Sequence, residues 1–220
     1  MAYPTIDKPY GLKPINLIGG QVFAGSTRQR RIDSSASSIG FGDPLKFASD
    51  GTVVVTTETT TPPDAGFAGV FLGCTFVSSV TGQPTFSQQW TSGTSVKAGT
   101  YVTAYVADDP DTLFKAVGVS ASLVVSTTGG FVYGDIGSNV ALVANTLNTS
   151  SGDSQQGLLT SSAAVTRSLP IRIIDVVEDT AFVSSGTTYY PEVIVKFNAA
   201  YLTSVSLIVG GHAYNTPLGI

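Results

Sequence analysis

The chain has 220 residues, 11 of them Lys or Arg against 15 Asp or Glu, a formal net charge of −4, and charged residues make up only 12% of it. A single Cys excludes an internal disulfide and any Cys-rich metal site. No apolar run approaches the roughly 18 residues of a membrane-spanning helix. Few charges with 24 glycines and abundant Ser and Thr suit a β protein whose surface is covered by hydroxyls. They equally suit a protein that hides surface in an assembly, since interface cores are poor in charge.

The first 31 residues stand apart. Lys8, Lys13, Arg28, Arg30 and Arg31 face one acid, Asp7, so this segment is positive while residues 32–220 are negative. Pro4, Pro9 and Pro14 forbid a helix across it. Its apolar side chains (Tyr3, Ile6, Tyr10, Leu12, Ile15, Leu17, Ile18) follow no helical period, which predicts an extended N-terminal arm with anchors, ending near a short strand at Gln21–Ala24. The opening MAYPTIDKPYG has no basic start and apolar run, so no signal peptide is expected. The sequon Asn148-Thr149-Ser150 then carries no meaning, since glycosylation needs secretion. Arg28, Arg30 and Arg31 invite a phosphate-binding reading, but no recognition helix or stacking platform follows them, so a salt-bridging role is expected.

A body spanning residues 32–220 follows. A turn at Gly42-Asp43-Pro44 feeds a strand at Leu45–Ala48, and Asp50-Gly51 signals a hairpin into Thr52–Thr57. Pro62-Pro63 breaks regular pairing. The densest apolar stretch, Gly69–Gly118, contains strand-like runs at Val70–Val77, Tyr101–Ala107 and Leu113–Val117, with Trp90 and Cys74 between or within them. Further strands are predicted at Ala121–Ser126, Phe131–Tyr133, within Gly137–Ala144, at Leu169–Val177, Ala181–Ser184, Tyr189–Phe197 and Leu202–Val209. Residues 145–165 read as a long polar loop. Arg172 and Asp175 are expected to face solvent or each other. Residues 210–220 read as an extended tail. The fold class expected is all-β, an antiparallel barrel or sandwich with little or no helix.

Catalytic signatures are sparse. His212 is the only His, and no Gly-x-Ser-x-Gly elbow accompanies the many serines. Asp108-Asp109-Pro110-Asp111 offers carboxylates to Ca²⁺, but its spacing is an Asp-rich turn, not an EF-hand loop. No enzyme activity, cofactor or metal is expected. Phe86, Trp90 and Tyr101 suggest a sugar-binding platform, against a plainer role in core or interface packing.

Several segments in order carry a family resemblance: PYGLKPINLIGGQVFAGSTRQ from Pro9, the GDP turn at Gly42, GVFLGCTF from Gly69, FSQQW from Phe86, YVADDPDTLFK from Tyr105, LPIRIIDVVED from Leu169 and EVIVKFN from Glu192. Together they resemble the head decoration (capsid cement) proteins of tailed bacteriophages. The resemblance implies a β-rich virion protein, made in the host cytoplasm, that binds the outside of the expanded head as a homotrimer. It implies the major capsid protein as partner, with no membrane and no direct nucleic-acid contact. The candidate shell or subunit contacts are Tyr3, Tyr10, Leu12, Lys13, Ile15, Leu17, Arg28, Arg30, Arg31, Trp90, His212 and Tyr214. The alternative is a carbohydrate-binding or adhesin module on the virion surface.

Overall fold

β-Branched residues alternating with hydroxyls, and glycines throughout, leave pleated strands as the way to bury this chain's apolar side chains. The computed structural model describes residues 6–57, 60, 66–166 and 168–198, with the backbone of 201–204 and 207–209. Its regular structure is β throughout, apart from single 3-10 turns at Tyr133–Asp135, Thr160–Ser162 and Glu178–Thr180. In chain order the strands begin with β1 (Lys13–Leu17), β2 (Arg28–Arg31), β3 (Pro44–Phe47), β4 (Val53–Val55), β5 (Phe67–Val77) and β6 (Pro84–Ser87). They continue with β7 (Thr103–Ala107), β8 (Thr112–Val119), β9 (Asn139–Val140), β10 (Leu142–Val143), β11 (Gly157–Leu159) and β12 (Ile171–Val176). The last are β13 (Phe182–Ser184), β14 (Thr187–Tyr189), β15 (Glu192–Phe197), β16 (Tyr201–Ser204) and β17 (Leu207–Val209).

One sheet runs β10-β11-β8-β15-β12-β9, with β1 also on β8. Only Ala141 separates β9 from β10, and its carbonyl accepts the Leu159 N–H. The two ends of the order are thus parts of one bent strand, and the sheet curls into a nearly closed barrel. Ile171 and Ile173 on β12, and Val193, Val195 and Phe197 on β15, are buried between more exposed neighbours, the period-2 pattern of a barrel wall. With Phe114, Ala116, Phe131, Val140 and Leu158 they form one core. Gly118 leaves room for the ring of Phe131, which a Cβ there would meet at 2.8 Å.

The second sheet runs β2-β7-β5-β3-β4, with β6 also on β5. It covers a separate core of Ile32, Ile39, Leu45, Phe47, Val53, Phe71, Cys74, Trp90, Ala104 and Val106. The chain enters this sheet after β1 and leaves it between β7 and β8, through the Asp108–Asp111 turn.

Strand β5 serves both cores. Phe67, Val70 and Leu72 belong with the barrel cluster, whereas Ala68, Phe71 and Cys74 belong with the other. A regular strand would keep 67, 69 and 71 on one face. Two register shifts change the phase, one opposite Leu45/Lys46 of β3 and one between Phe71 and Cys74 against β7. Each lies beside a glycine in the left-handed region, Gly69 at φ 131° and Gly73 at φ 132°. At Gly69 the backbone also passes so close to β7 that a Cβ would stand 2.4 Å from the Ala107 carbonyl oxygen. Phe67, released toward the barrel, stacks on Phe197 at 4.4 Å between ring centroids, and Phe114 lies 5.4 Å from Phe197.

The N-terminal segment is extended but integrated. β1 pairs antiparallel with β8, β2 pairs antiparallel with β7, and Leu12, 1% exposed, is part of the barrel core. The predicted strand at Gln21–Ala24 reduces to a single bridge between Val22 and Asn16. The predicted strand at Ala121–Ser126 is a turn: the Leu123 N–H bonds the Ser120 carbonyl, and Leu123 has φ 60°. The stretch read as a polar loop, 145–165, instead contains β11, parallel to β8, and buries Ser154 and Gln156. Arg172 and Asp175 both face solvent, as expected, and Arg172 donates to the Asn139 side chain.

Gly69→Ala is expected to lower the unfolding free energy by ~2–4 kcal/mol, from a left-handed backbone and a contact with main chain that cannot yield. Urea denaturation with an unchanged m-value checks this; a loss under ~0.5 kcal/mol would show that β5 does not depend on the bulge.

Candidate functional site

Four clusters of polar or aromatic side chains are candidates. The first lies where the two sheets meet. In the Gly40–Pro44 turn the Asp43 side chain is buried; its Oδ2 accepts the Gly40 N–H at 2.7 Å and its Oδ1 accepts Gln156 Nε2–H at 3.1 Å and the Ser154 hydroxyl. Its main chain bonds Phe71 of β5, and the neighbouring Gly42 carbonyl accepts the Leu12 N–H. Gly11 and Gly42, both at positive φ, cross here with no space for a side chain: a Cβ on either would stand within 3 Å of the other segment's main chain. Burial pushes the Asp43 carboxyl above its ordinary value, against the pull of the bonds from Ser154, Gly40 and Gln156. Apart from the Gly40 bond within the turn, these contacts join one segment to another. This is a clasp.

The second cluster sits outside the barrel. Tyr10 donates to Glu192, which is 2% exposed and pairs with Lys115 Nζ at 3.1 Å. Lys13 Nζ lies 4.3 Å from the centroid of the Tyr10 ring. Burial, and then Glu192, push the Tyr10 hydroxyl far above its ordinary value, so it stays a donor. Tyr10, Leu12 and Lys13 are thus engaged within the fold, as are Ile15 and Leu17, half-buried on β1.

The third is the arginine strand. Arg28 Nε lies 2.9 Å from Asp108 Oδ2 and an Arg30 nitrogen lies 3.7 Å from the same oxygen. Asp111 pairs with Lys196 at 2.7 Å, and Asp109 accepts the Asp111 N–H. The three carboxylates of the Asp-rich turn therefore serve separate partners, and the described residues hold no cluster of three metal-ligating side chains. The salt-bridging role expected for this cluster is seen at Arg28 and Arg30.

The fourth surrounds Tyr101 on the outer side of the second sheet. Trp90 is 4% exposed, held by paired main-chain bonds to Ile39 and an edge contact with Phe76. A large indole between two segments of the core is packing, which places it out of reach of a flat partner. Its indole N–H, however, has no acceptor. Trp90 and Tyr101 line one cleft of about 260 Å³ with Ser34, Thr94 and Thr100. Tyr101, 60% exposed, also lines a neighbouring cleft of about 540 Å³ with Arg31, Ser34, Asp50 and Thr52. The Arg31 guanidinium lies over the Tyr101 ring at 3.6 Å. Phe86 is elsewhere, on β6 over Gly73 and beside Tyr105, so Phe86, Trp90 and Tyr101 do not form one platform. Cys74 is buried under this sheet and its thiol is pushed up to about 11 by burial, the behaviour of an unreactive core thiol.

Tyr3, His212 and Tyr214 lie outside the described residues. What residue-by-residue reading missed is the Asp43 clasp: Ser154 and Gln156 are over a hundred positions away, and only the glycines at 11, 40 and 42 hinted at a close crossing.

No family model, no curated protein and no solved structure matches the chain. The fold and its side-chain clusters define it as an all-β protein, a nearly closed, barrel-like sheet clasped to a second sheet.

The Asp43 shift has a consequence for pH. The folded value is raised, so the contribution of protonated Asp43 is fully present below the ordinary 3.8 and is lost as pH rises through the folded value. Asp43→Asn cannot titrate. The stability advantage of the natural chain over Asp43→Asn should therefore grow as pH falls from 7 toward 4 in paired denaturation curves. A constant difference would mean that Asp43 is not desolvated.

Proposed function

We propose that this protein is a structural component of a phage particle that decorates the outside of the head, with the major capsid protein as its partner and three copies acting together. The sequence resemblance suggests this, and the segments that carry it form the frame: the Gly42–Pro44 turn, β5, the turn from β7 into β8, β12 and β15. The observation that carries the reading is the far end of the barrel. β8, β11 and β12 all run toward it, so the segments 120–138, 160–166 and 177–191 emerge together on the side away from the second sheet. They expose Val124 (60%), Tyr133 (63%), Val165 (97%) and Val183 (63%). Scattered single apolar residues need no explanation, but four on the loops of one end favour a docking surface.

The ionisable side chains support a scaffold over an enzyme. Asp43, Asp108, Glu192 and Tyr10 are each spent on joining strands or loops. The N-terminal segment, expected to clamp the shell, has both its strands paired in the sheets; contact with the shell is therefore assigned to the barrel end. Decoration then works by mass action. A ligand that binds only the expanded shell stabilises it by RT ln(1 + [L]/Kd) at each site.

Removing residues 1–31 would delete β1 and β2, so the test uses point changes in the full chain. Purified protein is mixed with expanded, undecorated heads of the phage that encodes it and sedimented. The natural chain should co-sediment at a fixed ratio to the coat subunit, and the double change Val124→Asp, Val183→Asp should weaken binding at least about tenfold while melting normally. Failure of the natural chain to bind heads overturns the reading; equal binding by the double variant overturns the assigned surface.

A further inference from the structure

We propose that the two clefts flanking Tyr101 form a binding site for a neutral oligosaccharide, independent of the docking end of the barrel. The clefts share Ile32, Ser34 and Tyr101, so Tyr101 is the ridge between them. Three features favour a saccharide. The first is an aromatic side chain exposed over more than half its surface and held in place, since the Arg31 guanidinium already lies on its ring. A sugar presents C–H faces to such a ring and hydroxyls around it, and an ordered side chain loses little freedom on binding.

The second is the balance of donors and acceptors. Arg31 and Asp50 line the same cleft. Asp50 Oδ1 accepts from the Thr52 hydroxyl and N–H, bonds that hold its carboxyl below its ordinary value and keep it ionised; Oδ2 takes part in neither bond. Asp33, bonded to Thr52 and Ser35, is likewise held low. An anionic ligand would meet the Asp50 carboxylate and a cationic one would meet Arg30 and Arg31. A hydroxyl pair can accept from the guanidinium and donate to the carboxylate, which makes a neutral polyol the match.

The third is the Trp90 indole N–H. It is buried on a side chain that lines the smaller cleft, and it has no acceptor. Buried donors are nearly always satisfied, because an unmade bond costs about 1–3 kcal/mol. Ser34, Thr94 and Thr100 around it supply hydroxyls but none bonds it. A ligand hydroxyl entering from the Tyr101 side would supply the acceptor. The site lies on the second sheet, beside the start of β7, whereas the barrel loops follow the far ends of β8, β11 and β12, so the two surfaces do not share residues.

Trp90 is the only tryptophan and reports on the cleft directly. The full chain is passed over an immobilised panel of neutral oligosaccharides, and maltotriose, cellotriose, mannotriose and chitotriose are titrated in solution while tryptophan emission is followed. At least one panel member should bind and change the emission saturably. Tyr101→Ala and Arg31→Ala, both exposed positions, should each weaken that binding by about tenfold or more with an unchanged melting curve. The double change Val124→Asp, Val183→Asp should leave it unaltered, which separates this site from head binding. The proposal is overturned if no panel member is retained by the natural chain, if Tyr101→Ala binds as tightly, or if Tyr101→Ala abolishes head binding while no sugar binds.

Discussion

A β-strand has two faces and a period of two, so one strand can line two cores only if every residue is buried or if its phase is broken on the way. β5 does both. Its first half is buried on both sides, and the glycines at 69 and 73 advance the side chains so that Phe67, Val70 and Leu72 reach the barrel while Ala68, Phe71 and Cys74 reach the second core. The stacking of Phe67 on Phe197, and through it the contact with Phe114, depends on that phase. An alanine at either glycine removes the bulge geometry, and the two cores would then compete for the same residues.

The clasp at Asp43 follows from the same arrangement. Two cores joined along one strand would hinge about it unless a second connection fixed the angle. The Gly40–Pro44 turn provides one: it bonds Phe71 of β5 through its main chain, takes Leu12 through Gly42, and holds the 152–156 segment through the Asp43 carboxyl. Burying a carboxylate is costly without full hydrogen bonding, and the raised titration of Asp43 is the residue of that cost. A neutral isostere would remove the cost but also a donor-to-acceptor match at the Gly40 N–H, which Asp43 meets and an amide nitrogen cannot.

Where burial was two-sided or alternation was clean, local sequence was sufficient. β5, β7, β8, β12 and β15 all fall within segments of β-branched and aromatic residues; β12 and β15 alternate in burial, while β5 and the second half of β8 are buried on both sides. It failed where pairing partners decide the state. Arg28–Arg31 has no strand character of its own; it is extended because β7 offers an edge and Asp108 an ion pair. Gly157–Leu159 is three residues in a polar stretch, made a strand by the parallel edge of β8. Ala121–Ser126 has β-prone residues but lies beyond the rim of the barrel, where no neighbouring strand remains and Leu123 turns the chain back. For the candidate sites, Tyr101 and the burial-prone Trp90 were visible as aromatics. That Arg31 would lie on Tyr101, and that Asp50 would share its cleft, depended on the β2–β7 register.

That register also divides the arginines. Arg28 and Arg30, at alternate positions of β2, both reach Asp108 at the exit of β7 and close the point where the chain leaves one sheet for the other. Arg31, one residue on, falls on the opposite face of the strand, away from Asp108, and finds the Tyr101 ring instead. The same short strand therefore neutralises the nearly buried Asp108 carboxylate and delivers one cation to the surface, over an aromatic and beside a carboxylate. A slip of one residue in the β2–β7 pairing would exchange the faces, turning Arg31 toward Asp108 and Arg28 and Arg30 away from it. The recognition chemistry proposed for the outer face thus rests on the same alternation that secures the junction of the sheets.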